Sequence, residues 1–283
     1  MFDNKQQEIS QVTNFLLHAK HPCFSSHCNK YARIHLPIAP ECNLQCNYCS
    51  RKYNCPNESR PGVVAKVLTP LEAVAWYKEC SKQVENLTVV GVAGPGDALA
   101  NWDVVKETFL RIREIDKDVF FCLSTNGLLL TRYAKEIAEL GIKYITVTIN
   151  AITVDTAVKI YQYAYDNQKI YYGLDAAKLI LERQWNGLSL LKKYNVYTKI
   201  NTVAIPTINI AEIPLLAQRI QRYNCVLHNI LPLLPVTGTP FADLPEPSAK
   251  CLQKLRQTSS AFMPQMFHCN RCRADAVGKL REI

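Results

Sequence analysis

Between residues 41 and 50 the chain reads ECNLQCNYCS, which places Cys42, Cys46 and Cys49 in a C-x3-C-x2-C run. A closed structural zinc site takes four ligands, usually as two C-x2-C pairs, so three thiols in one loop without an evident fourth suit another centre. That centre is a cubane 4Fe-4S cluster held through three irons, its fourth iron open to a small ligand. Zinc completed by a distant residue is the competing reading. The chain carries twelve cysteines. In a reducing compartment these are poor disulfide candidates, and metal or redox chemistry is the better default.

Length and charge narrow the class. A chain of 283 residues that is 48% hydrophobic can bury one large core, as one α/β barrel or two smaller domains. The net charge of +9 suits nucleic acid, an anionic membrane face, or acidic partners and anionic cofactors. No dense Lys/Arg run is present, which argues against nucleic acid. The opening MFDNKQQEISQVTNFLLHAKHPC has acidic and polar residues first and only a short apolar run in NFLLH, too little for a secretory or membrane-spanning segment. The expectation is a cytoplasmic protein without membrane contact.

The elements that must position the cysteines alternate. Strand-like runs occur at 32–40, 86–94, 118–126, 142–150, 196–206 and 226–235, separated by stretches of helical spacing. TPLEAVAWYKECSKQV should be a helix with Thr69 as N-cap and Pro70 at its first position, and LDAAKLILERQWNGLSLLKKYN another. Six β-α units predict an α/β fold: a parallel sheet curled into a partial (βα)6 TIM-like barrel with terminal extensions, because crossovers are right-handed and both faces need cover. A flat doubly wound sheet is the alternative topology. The expected division is an N-terminal arm over 1–31, the barrel over 32–247, and a C-terminal helix and tail over 248–283. In either topology ligands gather at the carboxyl ends of the strands. Cys42, AGPGD (93–97), STNG (124–127), Asn150 and Asn201 fall there. Alternation along the first strand sends Ile34, Leu36 and Ile38 to the helices and turns Arg33 and His35 into the lumen.

The cysteine spacing after a first barrel strand, with aromatic Tyr48 before the last cysteine, resembles the radical S-adenosylmethionine (SAM) superfamily. That resemblance implies a cluster whose open iron chelates SAM and whose electron cleaves it to the 5'-deoxyadenosyl radical. It also implies that Gly94, Gly96 and Asp97 of AGPGD stand where such proteins carry Gly-Gly-Glu, and that Ser124, Asn126 and Asn201 face the carboxylate and ribose of SAM. A closer resemblance covers nearly the whole chain. Residues 21–70, VGVAGPGDALAN, STNGL and MPQMFHCNRCRADAVGKL (263–280) look like the NifB family, which fuses two 4Fe-4S clusters around a carbide as a precursor of the nitrogenase cofactor.

This resemblance implies three 4Fe-4S clusters and nine ligands. Cys42, Cys46 and Cys49 hold the SAM-binding cluster; His35, Cys55 and Cys122 are candidates for one substrate cluster; Cys23, Cys269 and Cys272 are candidates for the other, with His27 or Cys28 as substitutes. Glu58 and Arg60 are the candidate catalytic pair, as proton acceptor and charge balance, with a turn-stabilising ion pair as the plain alternative. Cys80, Cys225 and Cys251 are assigned to packing. The implied partners are SAM, an iron-sulfur cluster donor, a reductant and an acidic cofactor carrier or scaffold protein. The end of the sequence soon after RADAVGKL suggests a stand-alone form without a carrier domain. Two other classes stay open: a radical SAM enzyme with auxiliary clusters that modifies a peptide, and a non-catalytic iron-sulfur scaffold.

Overall fold

The computed structural model describes residues 20–25 and 29–280; His27 and Cys28 lie outside them. The predicted strands form as β1 (Ala32–His35), β3 (Leu87–Val92), β4 (Phe120–Thr125), β5 (Tyr144–Thr148), β8 (Tyr197–Ala204) and β9 (Cys225–Pro232). They pair in parallel in the order β1-β3-β4-β5-β8-β9. Because this order follows the chain without reversal, there is no switch point, so the doubly wound alternative is excluded. The sheet curls into a half-barrel whose edges, β1 and β9, do not pair. The outer edge of β1 is capped by antiparallel β10 (Val277–Lys279), which brings the C-terminal tail into the sheet.

Period-two alternation sorts the side chains. Ile34, Val90, Phe121, Leu123, Ile145, Val147 and Ile200 are buried in the core beneath the helices, while Arg33, His35, Gly91, Cys122, Ser124, Thr146, Lys199 and Asn201 line the lumen. Helix α1 (Pro70–Gln83) starts as predicted: the Thr69 side chain accepts from the Glu72 backbone N–H, and the Glu72 carboxylate accepts from that of Thr69. Outside the sheet lie α2 (Trp102–Ile115), α3 (Leu130–Glu139), α4 (Val154–Ile160), the long α5 (Gly173–Lys193) and α6 (Ile213–Ile220); α7 (Ala249–Ser259) follows β9.

One feature was not predicted. Strands β6 (Tyr161–Asp166) and β7 (Lys169–Tyr172) form a hairpin between β5 and β8, turning at Asn167 and Gln168, both with positive φ. Two consecutive left-handed residues make the tight turn that matches strand twist, and asparagine tolerates that region. The hairpin adds β2 (Leu44–Cys46) to make a second, three-stranded sheet, with Leu44 opposite Ala164 and Cys46 opposite Tyr161. The cysteine loop is thereby braced by backbone pairing.

Candidate active site: two chambers with a common wall

Three thiols border one cavity on the loop that follows β1. Cys42, Cys46 and Cys49 line a small cavity with Cys55, Arg51, Gly96, Asp97 and Asn126. Backbone contacts set the loop's path: Gly96 N–H donates to the Ala39 carbonyl at 2.6 Å, and Asp97 N–H to that of Glu41 at 2.8 Å. A Cβ on Gly96 would stand 2.1 Å from the Glu41 carbonyl oxygen, so only glycine lets the two turns touch. The Asp97 carboxylate accepts from the N–H groups of Leu99, Ala100 and Asn126 and from the Thr125 hydroxyl. AGPGD thus carries a positioning duty: it joins the ends of β3 and β4 to the cysteine loop. Gly94 is not in the cavity wall. Asn126 donates to Asn43 at 2.7 Å and toward the Cys42 sulfur at 3.8 Å.

The thiols' electrostatics suit a bound cation. Burial, with the nearby Asp97 carboxylate, pushes Cys42 up to about 12, and burial with the neighbouring thiols Cys49 and Cys42 raises Cys46 further. Such groups stay protonated alone and lose their protons to a metal centre. Among the described residues no three His, Cys, Asp or Glu side chains converge as ligands of a single ion do. A cubane asks for something different, one sulfur on each of three irons; three thiols around one cavity fit that requirement.

Tyr48 lies beneath this loop, fully buried. Its hydroxyl donates to Asn57 Oδ1 and accepts from Asn150 Nδ2, both at 2.6 Å, and its ring packs near Phe241. It supports the cysteines from outside the cavity wall.

The half-barrel lumen holds a second chamber. His35 projects into it, where Gly91 gives the imidazole room: a Cβ there would approach its Cδ2 to 3.1 Å. The His35 Nδ1 lies 3.2 Å from the Arg273 carbonyl, which can only accept. Nδ1 therefore carries the proton and Nε2 keeps its lone pair, as a ligating histidine requires. Burial, with the Arg33 charge, pulls its pKa down to about 3, so the ring is neutral. Cys122, Cys23, Cys269 and Cys272 line the same chamber. Cys55 does not; it sits on the cysteine-loop side. The structure thus gathers five of the six expected substrate-cluster ligands in the lumen and sets Cys55 apart.

Glu58 and Ser124 line both chambers and form their common wall. Thr148 donates to Glu58 Oε1 at 2.6 Å and Asn201 to Oε2 at 3.1 Å. Burial dominates these bonds and raises the carboxyl to about 7. Arg60 borders neither chamber. It is exposed, and its guanidinium donates to the carbonyls of Asn270 and Arg271, fastening the tail that carries Cys269 and Cys272. Neither the ion pair with Glu58 nor contact with the lumen is present.

Fold and cysteine loop together define a radical SAM protein, and the model of the radical SAM superfamily matches residues 36–220. The chain is 42% identical over 264 residues to "FeMo cofactor biosynthesis protein NifB" of Chlorobaculum tepidum, covering 93% of this chain and 62% of the relative. To the protein of that name from Methanocaldococcus jannaschii it is 38% identical over 289 positions, covering 92% of the relative. Within the superfamily, the chain belongs to the NifB family. It spans less than two thirds of the Chlorobaculum tepidum relative's length. Among solved structures, methylornithine synthase shares the fold at a TM-score of 0.55 and 13% identity, over 87% of this chain and 68% of that one. No helix among the described residues is long and apolar enough to cross a membrane.

Proposed function

We propose that this radical SAM enzyme is a carbide synthase, which methylates and fuses two 4Fe-4S substrate clusters into the eight-iron, carbide-containing precursor of the nitrogenase cofactor. The observation that supports this reading is the common wall: a chamber of three thiols abuts, through Glu58 and Ser124, a chamber ringed by His35 and four cysteines. The relatives' name, FeMo cofactor biosynthesis protein, points the same way. When bound, SAM and its 4Fe-4S cluster supply a methyl group and, on reduction, a hydrogen-abstracting radical.

The chain's own residues hold, orient and move protons. Cys42, Cys46 and Cys49 hold the resident cluster, while Gly96 and Asp97 fix their loop; Ser124 and Asn126 are the polar groups toward SAM. Cys23, Cys269 and Cys272 would hold one substrate cluster. His35 and Cys122, with Cys55 on the loop side of the Glu58 wall, would hold the other. Glu58, divided between its two forms near neutral pH, accepts protons lost from the substrate carbon, and Thr148 and Asn201 keep its oxygens aimed. Arg60 positions the tail. A cluster donor, a reductant and an acidic carrier protein would complete the reaction's traffic in nitrogen fixation.

The test is an anaerobic turnover with SAM labelled with ¹³C in its methyl group. The expected product is an iron-sulfur species that retains the label, formed together with 5'-deoxyadenosine. Label recovered on a peptide, or absent from the iron-sulfur fraction, would overturn the assignment.

A further inference from the structure

The lumen contains two cations that no role above uses. Arg33 on β1 and Lys199 on β8 are only 5% and 7% exposed, and both line the chamber of His35 and the four cysteines. They come from strands near opposite ends of the sheet order, so the chamber lies between them. Arg33 donates through Nη2 to the Cys272 sulfur at 2.8 Å and through Nη1 to the Gly278 carbonyl, while its Nε has no partner. Among the described residues no carboxylate lies within ion-pair distance of Lys199, and Glu58 is the one acidic group among the chamber's described lining residues.

A buried ammonium and guanidinium without paired carboxylates are costly, and the cost falls when an anion enters. A thiolate-ligated iron-sulfur cluster is an anion, and two of them in one low-dielectric chamber repel. We propose that Arg33 and Lys199 form a cationic cradle that draws anionic iron-sulfur clusters into the lumen and offsets their mutual repulsion. This rests on the reading of the lumen as the substrate-cluster chamber. The plain alternative for Lys199 is local: its Nζ lies 5.4 Å from the Phe24 ring and steadies the segment carrying Cys23.

The experiment uses the full chain with Cys42, Cys46 and Cys49 replaced by Ala, so that bound iron reports the lumen alone. A synthetic water-soluble 4Fe-4S thiolate cluster is titrated in anaerobically without SAM, and iron per chain is counted. Lys199→Met, which keeps the length and packing of the stem, should weaken loading by on the order of tenfold, and Lys199→Arg should restore it. Arg33→Gln should shift loading in the same direction, and it keeps the test standing should Lys199→Met not fold. Unchanged loading in folded Lys199→Met, or Lys199→Arg as weak as Lys199→Met, overturns the cradle. Lys199-dependent loading, together with a native chain that yields no labelled product in the turnover with ¹³C-methyl SAM, would sink the carbide-synthase reading and leave the cradle intact.

Discussion

The two chambers are built by opposite strategies. The cysteine-loop chamber draws its thiols from one short stretch, Cys42 to Cys55, fixed by backbone pairing of β2 with the β6–β7 hairpin and by the Gly96 contact. The lumen chamber draws its donors from Cys23, His35, Cys122, Cys269 and Cys272, which only the fold brings together. A local site keeps its geometry while the reagent it holds is consumed and replaced. A dispersed site on strand faces and chain ends is the arrangement in which ligands can be filled and emptied separately. Arg60, Arg273 and Asp275 latch the tail across the 60–65 loop: Arg273 donates to the Val63 carbonyl, and Asp275 accepts from the Ala65 N–H.

The largest effect that separates the chambers comes from emptying each in turn. Replacing Cys42, Cys46 and Cys49 by Ala should abolish 5'-deoxyadenosine formation while lumen iron persists. Replacing Cys269 and Cys272 should do the reverse: SAM cleavage remains, and about a third of the iron is lost on a three-cluster count. If both variants lost the same iron and the same activity, the chambers would be one site.

A backbone contact gives a finer break. Gly96→Ala forces a Cβ against the Glu41 carbonyl oxygen, 2.1 Å away, and against that of Pro40 at 2.8 Å; both are main-chain atoms that cannot swing aside. The cost should be about 3 kcal/mol of stability, read by denaturant unfolding. The loss of SAM-cluster iron should exceed that of lumen iron, because the displaced turn is the one leading into Cys42.

The same contrast explains what was legible in the sequence. The six barrel strands and α1 were readable because their apolar periodicity and the Thr69-Pro70 cap are local signals. The cysteine loop was readable because its ligands are neighbours. The β6–β7 hairpin was not, since its alternating tyrosines lack the usual glycine at the turn, which Asn167 and Gln168 make instead. Arg60 shows the limit of local reading: its nearness in sequence to Cys55 suggests charge balance at a cluster, whereas its guanidinium turns to the tail carbonyls of Asn270 and Arg271. Lys199 could have been noticed: a lysine in the middle of VYTKINTVAIP, on the same face as Asn201, is out of keeping with a fully buried parallel strand.

The smallest effect tests the wall between the chambers. Glu58 is held near 7 in the folded chain by burial, against an ordinary glutamate value of 4.5. Its carboxyl therefore keeps its proton in the folded state over a range where the unfolded chain has released it. The stability this confers is fully present below about 4.5 and is lost as pH rises through about 7. A raise of that size corresponds to about 3 kcal/mol at most, at ~1.4 kcal/mol per pKa unit. Denaturant unfolding of the cluster-free chain should accordingly show stability falling with pH across this window, and Glu58→Gln should flatten that slope. Gln keeps an acceptor for Thr148 but cannot ionise, so its stability curve should run above that of the native chain at pH 8 and meet it below about pH 4.5. A Glu58→Gln curve parallel to the native one would place the titration on another group and remove Glu58 as the proton acceptor between the chambers. Ser124→Ala, at the same wall, removes a hydroxyl whose hydrogen bond lowers the Glu58 pKa, so it should carry the fall in stability to higher pH.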